Sequence, residues 1–523
     1  MVFIAFEKHE NLGIRYMAAL LSEAGYEVGI IDFRKDKAAI VEELIRRDPL
    51  LIGFSIIFEE CIYDFKDLIG YLRNNGIQTH ITAGGHFASL RPAELFDIIP
   101  SLDSIVRFEG EHTLLDLVNH LHRDTNWKEV LGLSFKNNGT LVNNELRALE
   151  PDLDNFPFPL RSEIKAYLLE KKYTTLLAGR GCVHNCIFCD IREFYRQPPG
   201  PVKRIRNPEK VVEEMEYLHH ELDCSVFLFQ DDDFPVITHK NSGWIDEFCQ
   251  ALVDKNLSGN IMWKINSRPD EVDPELFEMM RQHGLFRVFL GIEDGTDAGL
   301  LQMNKQLKAS DNIKGINTLK NLSIAIDYGF MLFQPTTTYD SLNDNLKFLE
   351  LICGDGYMPA TFLKMLPYFE TKIEKELREA GRLIGKPGFL DYDFEDKSFN
   401  EFHHFVFDSF DTWLNDPNGF SNIAKWVRNY LSVYSFYNEP LEGIERLSKT
   451  LNARVSDANI FMLDTLKELS VNFESGHYNQ KNDKTLNDYR CRIEEKHNAA
   501  LKSITEIIGK VELFSLTKVF FKL

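Results

Sequence analysis

Short apolar runs alternate with amphipathic stretches of helical period over residues 2 to about 122. Compact apolar runs are typical of buried strands, whereas apolar residues spaced three and four apart are typical of helices. The pattern predicts strands at residues 1–6, 26–32, 50–55, 79–83 and 104–107. Such an alternation predicts an α/β domain with a doubly wound, Rossmann-like parallel sheet. Ligands of these sheets bind beyond the carboxyl ends of the strands, where the loops here are Glu7 to Gly13, Ile56 to Glu60, Gly84 to Phe87 and Glu109 to His112.

A second alternation of apolar runs and helical stretches begins near residue 166. It predicts strands at residues 174–178, 225–229, 261–265, 287–292, 325–333 and 361–366, separated by helices such as Pro208 to Glu221. Six βα units predict a partial (β/α)6 barrel whose chemistry lies at the carboxyl ends of its strands. Beyond about residue 390 the pattern is mainly helical, for example at residues 423–437 and 492–510.

Four regions follow from these patterns. Residues 1–125 form the doubly wound domain, 166–389 the partial barrel and 390–523 a helical C-terminal domain that caps the substrate or binds a partner. Residues 126–165 connect the first two, with a predicted hairpin around Asn137 and Gly139 and a stretch punctuated by prolines from Asn155 to Leu160.

The net charge of the chain argues against one class of binding partner, nucleic acids. The 523 residues carry a formal charge of -21, from 80 acidic and 59 basic side chains. Affinity for nucleic acids depends on clustered Lys and Arg, so we expect no nucleic-acid partner. The first six residues have no signal-peptide pattern, and no stretch supplies the roughly 18 apolar residues that cross a bilayer. We therefore expect a soluble, cytoplasmic protein without a membrane partner.

Three of the eight cysteines, Cys182, Cys186 and Cys189, lie within one loop after a predicted strand. The other five are scattered, which is not the spacing of a disulfide framework. Thiolates are soft ligands that suit iron–sulfur clusters or zinc. Three cysteines on a four-iron cluster leave one iron open to bind a substrate or cofactor. A zinc site completed by His184, or three buried cysteines without metal, is the alternative, although zinc loops usually supply two separated cysteine pairs.

This loop resembles the hallmark of the radical S-adenosylmethionine (SAM) superfamily. The shared features are the spacing C-x3-C-x2-C, the aromatic Phe188 before the third cysteine and the position after the first strand of a partial barrel. The resemblance implies that Cys182, Cys186 and Cys189 hold a [4Fe-4S] cluster and that SAM chelates its open iron. Reductive cleavage then yields methionine and a 5'-deoxyadenosyl radical. The cofactors perform this chemistry, while the protein positions and shields them.

Three later segments extend the resemblance. Asp232 lies in an acidic loop after the second strand, where many members place a loop near the SAM amino group. Ser267 and Arg268 follow the third strand, as the family's polar SAM-contacting loop does. Glu293 lies in a segment similar to the family's Gly-Ile-Glu-Ser-Gly, in which Asp294 replaces the usual serine. Each of these residues could instead form an ordinary strand-end turn or a structural ion pair.

The first domain resembles the cobalamin-binding domain of many radical SAM proteins. The resemblance rests on the order of three segments, which begin with Asn11 and Leu12, continue with Gly84, Gly85 and His86, and end with Glu109 and Gly110. It implies that these residues contact cobalamin. A family motif that supplies a histidine ligand to cobalt is matched imperfectly around His9, so we expect base-off cobalamin without a histidine ligand. The alternative is a domain that keeps the fold but has lost its ligand.

Most relatives with both modules are methyltransferases, so the resemblance implies methylcobalamin as the methyl donor and SAM in two roles. One SAM restores the donor, and another yields the radical that abstracts hydrogen from an unactivated carbon. We expect a C-methyltransferase acting on a peptide or natural-product-type small molecule, with an external electron donor of the flavodoxin or ferredoxin type. The alternative is cyclisation, rearrangement or oxidation without methyl transfer.

Two other classes fit the sequence less well. A methylthiotransferase needs a second cluster held by N-terminal cysteines, and only Cys61 lies in residues 1–181. A non-catalytic cobalamin or metal sensor is a remote alternative, because a sensor would need no open iron.

Overall fold

The computed structural model describes residues 1–7, 10–168, 171–235, 243–437, 444–476 and 483–509. The chain divides into two compact units that do not follow the order of the sequence. Unit 1 comprises residues 1–164, 174–214 and 367–391, and unit 2 comprises residues 165–173, 215–366 and 392–523. The cysteine loop therefore belongs to the same unit as the N-terminal sheet.

The N-terminal sheet has seven strands in the order β2-β1-β3-β4-β5-β6-β7. The strands are β1 (Val2–Ala5), β2 (Gly29–Asp32), β3 (Leu51–Ser55), β4 (His80–Gly84), β5 (Ser104–Val106), β6 (Leu133–Asn137) and β7 (Thr140–Asn143). The helices that accompany them are α1 (Leu12–Glu23), α2 (Lys37–Arg47), α3 (Ile62–Asn74), α4 (His86–Leu90), α5 (Pro92–Ile98) and α6 (Glu111–His122).

The doubly wound arrangement is confirmed. Strands β1 to β5 pair in parallel. One apolar core contains residues of α2, α3, α4 and α5, and a second contains residues of α1 and α6, so helices cover both faces of the sheet. The parallel strands are apolar almost throughout because both faces are buried.

The hairpin expected in the connector is also present, and it extends this sheet. Strand β6 pairs antiparallel with β5 and with β7. The turn holds Asn138 at φ 49° and Gly139 at φ 82°. Two successive positive φ angles on Asn-Gly match the tight hairpin turn that this dipeptide favours.

The middle of the chain carries the second sheet, in the order β15-β14-β13-β12-β9-β8, and a small two-stranded sheet of β10 and β11. The strands are β8 (Tyr167–Leu168), β9 (Lys171–Leu176), β10 (Gly179–Arg180), β11 (Arg204–Ile205), β12 (Cys224–Phe229), β13 (Met262–Ser267), β14 (Leu285–Glu293) and β15 (Ala325–Phe330). The helices are α7 (Ile191–Arg196), α8 (Pro208–Leu222), α9 (Gly243–Asp254), α10 (Pro274–Gln282), α11 (Asp297–Gln302), α12 (Ala309–Asn321) and α13 (Tyr339–Cys353).

Strands β12 to β15 form the parallel wall of the partial barrel. The segment predicted as its sixth strand, residues 361–366, makes only a parallel bridge between Phe333 and Lys364. Around this bridge, the amides of Leu363 and Met365 donate to the carbonyl oxygens of Phe330 and Phe333, at 2.8 Å each. At the start of the segment, the amide of Thr361 donates to the hydroxyl of Tyr328, 3.0 Å away.

The rest of the chain is mainly helical, as expected. Its elements are α14 (Lys372–Glu379), β16 (Leu383–Lys386), β17 (Phe389–Tyr392), α15 (Lys397–Leu414), α16 (Phe420–Tyr437), α17 (Ile444–Glu474) and α18 (Asp483–Gly509). Within the described ranges, no helix combines the length and the apolar character needed to cross a membrane.

Candidate cluster and cofactor site

The three clustered cysteines lie on the loop between β10 and α7 in unit 1. Cys182, Cys186 and Cys189 are partly exposed thiols, and the amide of Cys189 lies 3.4 Å from the carbonyl oxygen of Cys186. Phe188 is half-buried beside them. By contrast, Cys249 is buried, and burial raises the pKa of its thiol to about 12. The loop thus presents accessible thiols at the spacing that a cluster needs.

The cysteine loop begins with a glycine, Gly181, at a position that has no space for a side chain. Gly181 has φ +79°, and a Cβ added there would lie 1.8 Å from the carbonyl oxygen of Val202. The backbone of residue 202 precedes β11, which pairs antiparallel with β10. Only glycine permits both the positive φ and this close approach.

Buried ion pairs anchor the strands on either side of the cysteine loop. The Glu109 carboxylate lies 3.1 Å from Arg180 on β10 and 2.6 Å from Arg204 on β11, and Arg180 also pairs with Glu111 at 2.7 Å. Burial tends to raise the pKa of Glu109, but the hydrogen bond from Arg204 and the charges of both arginines outweigh it and lower that pKa. Glu109, which resemblance assigned to cobalamin, thus connects the loop after β5 to the cysteine-bearing segment.

His86 makes a second connection within unit 1. Its Nδ1 lies 3.2 Å from Oδ2 of Asp190, the residue after Cys189. Its ring stacks on Phe194 of α7, with centroids 4.2 Å apart and planes 15° apart. The residue expected at the cobalamin loop therefore also contacts the end of the cysteine loop.

The other residues assigned to cobalamin shape the carboxyl edge of the N-terminal sheet. Asn11 caps α1 by accepting from the amide of Ile14 and donates to Ser55 at the end of β3, 3.0 Å away. Leu12 is buried in an apolar cluster below this cap. The cap fixes the loop after β1 against the end of β3.

Three glycines at this edge lie close to neighbouring atoms, and Gly85 is the one that leaves no room for a side chain. A Cβ on Gly85, which has φ +119°, would lie 2.2 Å from the carbonyl oxygen of Ile56. A Cβ on Gly84 would lie 3.3 Å from the carbonyl oxygen of Val106, and one on Gly110 would lie 2.9 Å from the sulfur of Met17. These glycines let the loops after β3, β4 and β5 approach one another.

Sequence reasoning placed the loop Ile56 to Glu60 at the ligand-binding edge but did not single out two apolar side chains within it. Ile57 and Phe58 follow β3 and are 42% and 37% exposed, and the Phe58 ring lies edge-on to Phe6, with centroids 5.1 Å apart. Exposed apolar side chains beside paired glycines fit the flat face of a large ring such as that of cobalamin. An apolar pair directly after a strand, where turn residues are usual, was the available signal.

Glu59, in the loop after β3, is a buried carboxyl with other carboxylates nearby. Burial raises the pKa of Glu59 to about 8, and repulsion from Asp190 and Glu60 adds to the effect. The Tyr368 hydroxyl, in the same unit, has its pKa raised to about 12 by burial and then by the charges of Asp190 and Glu59. A carboxyl that stays protonated near neutral pH can donate a hydrogen bond. His9, the candidate cobalt ligand, lies outside the described residues.

Unit 2 holds the residues assigned to SAM. Asp232 is exposed after β12, between the buried Asp231 and Asp233. Ser267, the last residue of β13, lies 3.2 Å from the Glu271 carboxylate. Arg268 donates to the carbonyl oxygen of Lys305 at 2.8 Å.

Glu293 ends β14 at a shift in the strand register, with φ +67°. Its Oε1 lies 3.1 Å from the Lys305 ammonium. Its Oε2 would be 3.2 Å from a Cβ placed on Gly329 of the neighbouring β15. The Glu293 carboxylate thus lies next to two paired glycines, Gly291 on β14 and Gly329 on β15, which have no side chains to displace it.

Asp294, where the family has serine, is a buried structural acceptor. It accepts hydrogen bonds from Thr296, from Gln334 at 2.5 Å and from Asn345 at 3.2 Å. Burial raises the pKa of this carboxyl despite those hydrogen bonds. Asp294 therefore ties the loop after β14 to the loop after β15 and to α13, and so positions its neighbour Glu293.

The donor sets fit the groups that sequence reasoning assigned. Three accessible thiols in one loop suit an iron–sulfur cluster with one open iron. The edge of the N-terminal sheet combines glycines, exposed apolar side chains and a polar rim, which suits a large amphipathic cofactor.

Two protein families match this chain, one over the N-terminal sheet and one over the segment with the cysteine loop and the barrel strands. The model of the B12 binding domain matches residues 5–118, and that of the radical SAM superfamily matches residues 176–349. The first match covers the doubly wound sheet, and the second covers the cysteine loop and strands β12 to β15.

Curated relatives match about two thirds of the chain. An uncharacterized methyltransferase of Pyrococcus horikoshii is 26% identical over 69% of this chain and 77% of its own length. The anaerobic magnesium-protoporphyrin IX monomethyl ester cyclase of Cereibacter sphaeroides is 26% identical over 69% of this chain. The aligned part covers 60% of the cyclase's own length.

A solved structure matches nearly the whole fold. The cobalamin-dependent S-adenosylmethionine radical enzyme OxsB, solved with aqua-cobalamin and S-adenosylmethionine bound, superposes on 95% of this chain and 84% of its own, with a TM-score of 0.67 at 19% identity. The two family matches and the cysteine loop lead to one conclusion: this chain belongs to the radical SAM superfamily and is a cobalamin-dependent member, whose cofactors are a [4Fe-4S] cluster, S-adenosylmethionine and cobalamin.

Proposed function

We propose that the enzyme transfers a methyl group to an unactivated carbon of a small molecule or peptide of the natural-product type. The observation that carries the proposal is the joint match to the B12-binding and radical SAM families, in a chain that aligns with most of a protein named a methyltransferase. When bound, the cluster and SAM supply radical chemistry and cobalamin supplies the methyl group.

The proposed roles of the chain's own residues follow from their positions. Cys182, Cys186 and Cys189 ligate the cluster through the accessible thiols of one loop. In unit 1, Gly84, Gly85 and His86 contact cobalamin, together with Asn11, Leu12, Glu109 and Gly110 as loop-shaping residues.

In unit 2, Glu293, Ser267 and Arg268 orient SAM, and Asp232 faces its polar end from the loop after β12. Lys305 holds the Glu293 carboxylate in place, because the ammonium lies 3.1 Å away. Asp294 holds the backbone on which Glu293 is carried.

Electrons must reach the cluster from outside the chain. We propose a flavodoxin- or ferredoxin-type donor and a cytoplasmic location, since thiols that bind iron need a reducing compartment. The net charge of -21 supports the absence of a nucleic-acid partner.

A second candidate is a cyclisation or oxidation without methyl transfer. It is favoured by the alignment with the cyclase, which covers as large a share of this chain as the alignment with the methyltransferase. Both candidates use the same cofactors, so the products must separate them.

The test uses enzyme reconstituted anaerobically with iron, sulfide and hydroxocobalamin, a small-molecule extract and SAM with a deuterated methyl group. Methylation predicts a product that gains the deuterated methyl, with S-adenosylhomocysteine and 5'-deoxyadenosine released together. A product without the label, formed with 5'-deoxyadenosine alone, would replace the first candidate by the second. The absence of substrate-dependent SAM cleavage would contradict both.

A further inference from the structure

Side chains on the inner wall of the partial barrel are more exposed to solvent than those on its outer wall. Along β14 every second side chain retains solvent access: Arg287 and Glu293 are partly exposed, and Phe289 between them is 38% exposed. The alternate residues Val288, Leu290 and Ile292 are fully buried. Successive side chains of a strand point to opposite faces, so one face of this wall borders an open space.

The neighbouring strands repeat this pattern. The partly exposed positions are Leu228 on β12, Asn266 on β13 and Gly329 on β15, within strands that are otherwise buried. Asn266 pairs in register with Phe289, and Gly329 pairs with Gly291. The open space thus continues across all four strands.

Positive charge concentrates at the amino-terminal end of this wall. Lys264 on β13 pairs in register with Arg287 on β14, so both side chains belong to the same face. Lys425, on the helix α16 that packs against β14 and β15, lies within electrostatic range of Arg287. Burial lowers the pKa of Lys264 to about 7 and that of Lys425 to about 8, and the charge of Arg287 lowers both further.

The carboxylates nearby only partly balance these cations. Arg287 pairs with Asp327 on β15, and the charge of Asp231 acts on Lys264. Lys264 donates to the side-chain oxygen of Asn266 at 2.5 Å. The buried Nε of Arg287 has no hydrogen-bond partner among the described residues. A buried donor atom without an acceptor is costly even where the guanidinium already pairs with a carboxylate, and this favours a bound acceptor at Nε.

We propose that the inner wall of the barrel binds an amphipathic substrate, whose oxyanion is held by Arg287 and Lys264 and whose apolar part packs on Phe289. The inference rests on the proposed function only in identifying the bound molecule as the substrate. Arg287 and Glu293 lie six residues apart on one strand, roughly 20 Å at 3.3 Å per residue. An oxyanion at Arg287 therefore anchors the substrate far from the SAM-binding residue Glu293 and leaves its apolar part between them. Carboxylate and phosphate share the required chemistry.

The test is a fluorine NMR titration of the reconstituted, oxidised enzyme with three probes of one shape: para-fluorobenzoate, para-fluorophenyl phosphate and the neutral para-fluorobenzamide. We expect at least one anionic probe to bind roughly tenfold more tightly than the amide, because a hydrogen bond to a charged group is lost in the amide. The anion that binds more tightly identifies carboxylate or phosphate as the substrate group.

Two variants locate the binding. Arg287→Met should weaken the anionic probes by roughly tenfold or more and leave the amide unchanged. Arg281→Met, which removes an arginine from an exposed pair with Glu278 on α10, should bind all probes as the wild type does. Should Arg287→Met fail to fold, Lys264→Met tests the same prediction, and the comparison of probes on the wild type needs no variant.

Equal affinity of the three probes, or an unchanged affinity in a folded Arg287→Met or Lys264→Met variant, would overturn the inference. The titration needs no turnover, so its result is independent of methyl transfer. Anion binding by an enzyme that never transfers a methyl group would contradict the proposed function and leave the binding site in place.

Discussion

At the scale of single residues, several residues that the family resemblance assigned to cofactor binding also make structural contacts within the protein. Asn11 caps a helix, Glu109 binds two arginines and Gly85 avoids a backbone carbonyl. These contacts shape the loops at the carboxyl edge of the sheet, where ligands of doubly wound folds bind. Cys182, Cys186 and Cys189 are partly exposed and lie in one loop at the spacing of cluster ligands.

Cys186 provides the most direct test of a single residue. We expect Cys186→Ala to reduce dithionite-driven cleavage of SAM to the level without enzyme, because two thiolates do not retain the cluster. Iron content and 5'-deoxyadenosine release measure the effect. Cys491→Ala removes an exposed cysteine of α18 and should leave both quantities unchanged. Persistent cleavage by Cys186→Ala would contradict the assignment of the cluster site.

His403 on α15 makes stability depend on pH. Its ring packs against Phe333, Phe394 and Phe407, with centroids 4.5 to 5.2 Å apart. Burial, and then the charge of Lys364, lowers the pKa of His403 to about 3. An unfolded histidine titrates near 6.5, so the unfolded state binds the extra proton first as the pH falls.

The stabilising effect of a neutral His403 is therefore complete above about pH 6.5 and decreases as the pH falls towards 3. Between pH 6.5 and 5 we expect the wild type to lose roughly 2 kcal/mol from this group. His403→Phe should lack that part of the pH dependence in urea unfolding curves. His404→Gln changes an exposed neighbour whose charge is only the third cause of the lowered His403 pKa, so it should keep most of the wild-type dependence. Identical pH profiles for His403→Phe and the wild type would show that the ring is not held neutral.

At the scale of elements, the cysteine loop depends on the pairing of two very short strands. Strands β10 and β11 have two residues each, and Gly181 directly after β10 brings the backbone against Val202. The loop geometry therefore comes from tertiary contacts more than from intrinsic strand propensity, which is weak for so few residues.

Gly181→Ala tests this dependence. The added Cβ would lie 1.8 Å from a backbone oxygen, so β10 and β11 must separate and the variant should incorporate little iron on reconstitution. Gly139→Ala is the matched control, because Gly139 also has a positive φ but no atom within 4 Å of its added Cβ. We expect that control to bind iron normally and to lose only about 1 kcal/mol of stability. Normal iron binding by Gly181→Ala would show that the strands tolerate separation.

At the scale of the whole molecule, the compact units cut across the sequence regions. Residues 174–214, which carry the cysteine loop, fold with the N-terminal sheet in unit 1. A buried ion network supports this unit: the Glu214 carboxylate is fully buried and lies 3.0 Å from Arg161 and 2.7 Å from Arg206. Arg161 also pairs with Glu10 at 2.7 Å, in the loop after β1.

Glu214→Gln should destabilise unit 1. Removing the carboxylate takes a charged hydrogen-bond acceptor from both buried arginines, which keep only Glu10 and Asp154 as carboxylate partners, and costs about 3 kcal/mol. Hydrogen exchange should then show loss of protection in residues 174–214 together with residues 1–164. Glu213→Gln breaks only an exposed pair with Lys210 and should change stability by less than about 0.5 kcal/mol. Protection lost in the cysteine segment alone would contradict a single cooperative unit.

The sequence by itself determined the element order and the cofactor class. The apolar alternations predicted β1 to β5, the Asn-Gly hairpin, strands β12 to β15 and the helical C-terminal region, because these patterns depend on local spacing. The spacing of Cys182, Cys186 and Cys189, together with the resemblance to the radical SAM loop, predicted a cluster before any fold was known, since these three candidate ligands lie in one short loop.

The tertiary structure decided what depends on contacts between distant residues. It reduced the predicted sixth strand to a short pairing around the bridge between Phe333 and Lys364, and the Thr361 amide at the start of that segment donates to the Tyr328 hydroxyl. It gave Asp294 three partners from separate segments, and it placed Lys264 beside Arg287 through strand register. Hydrogen bonds and charges of this kind join positions far apart in the chain, so no local pattern carries them, and only the folded backbone brings them together.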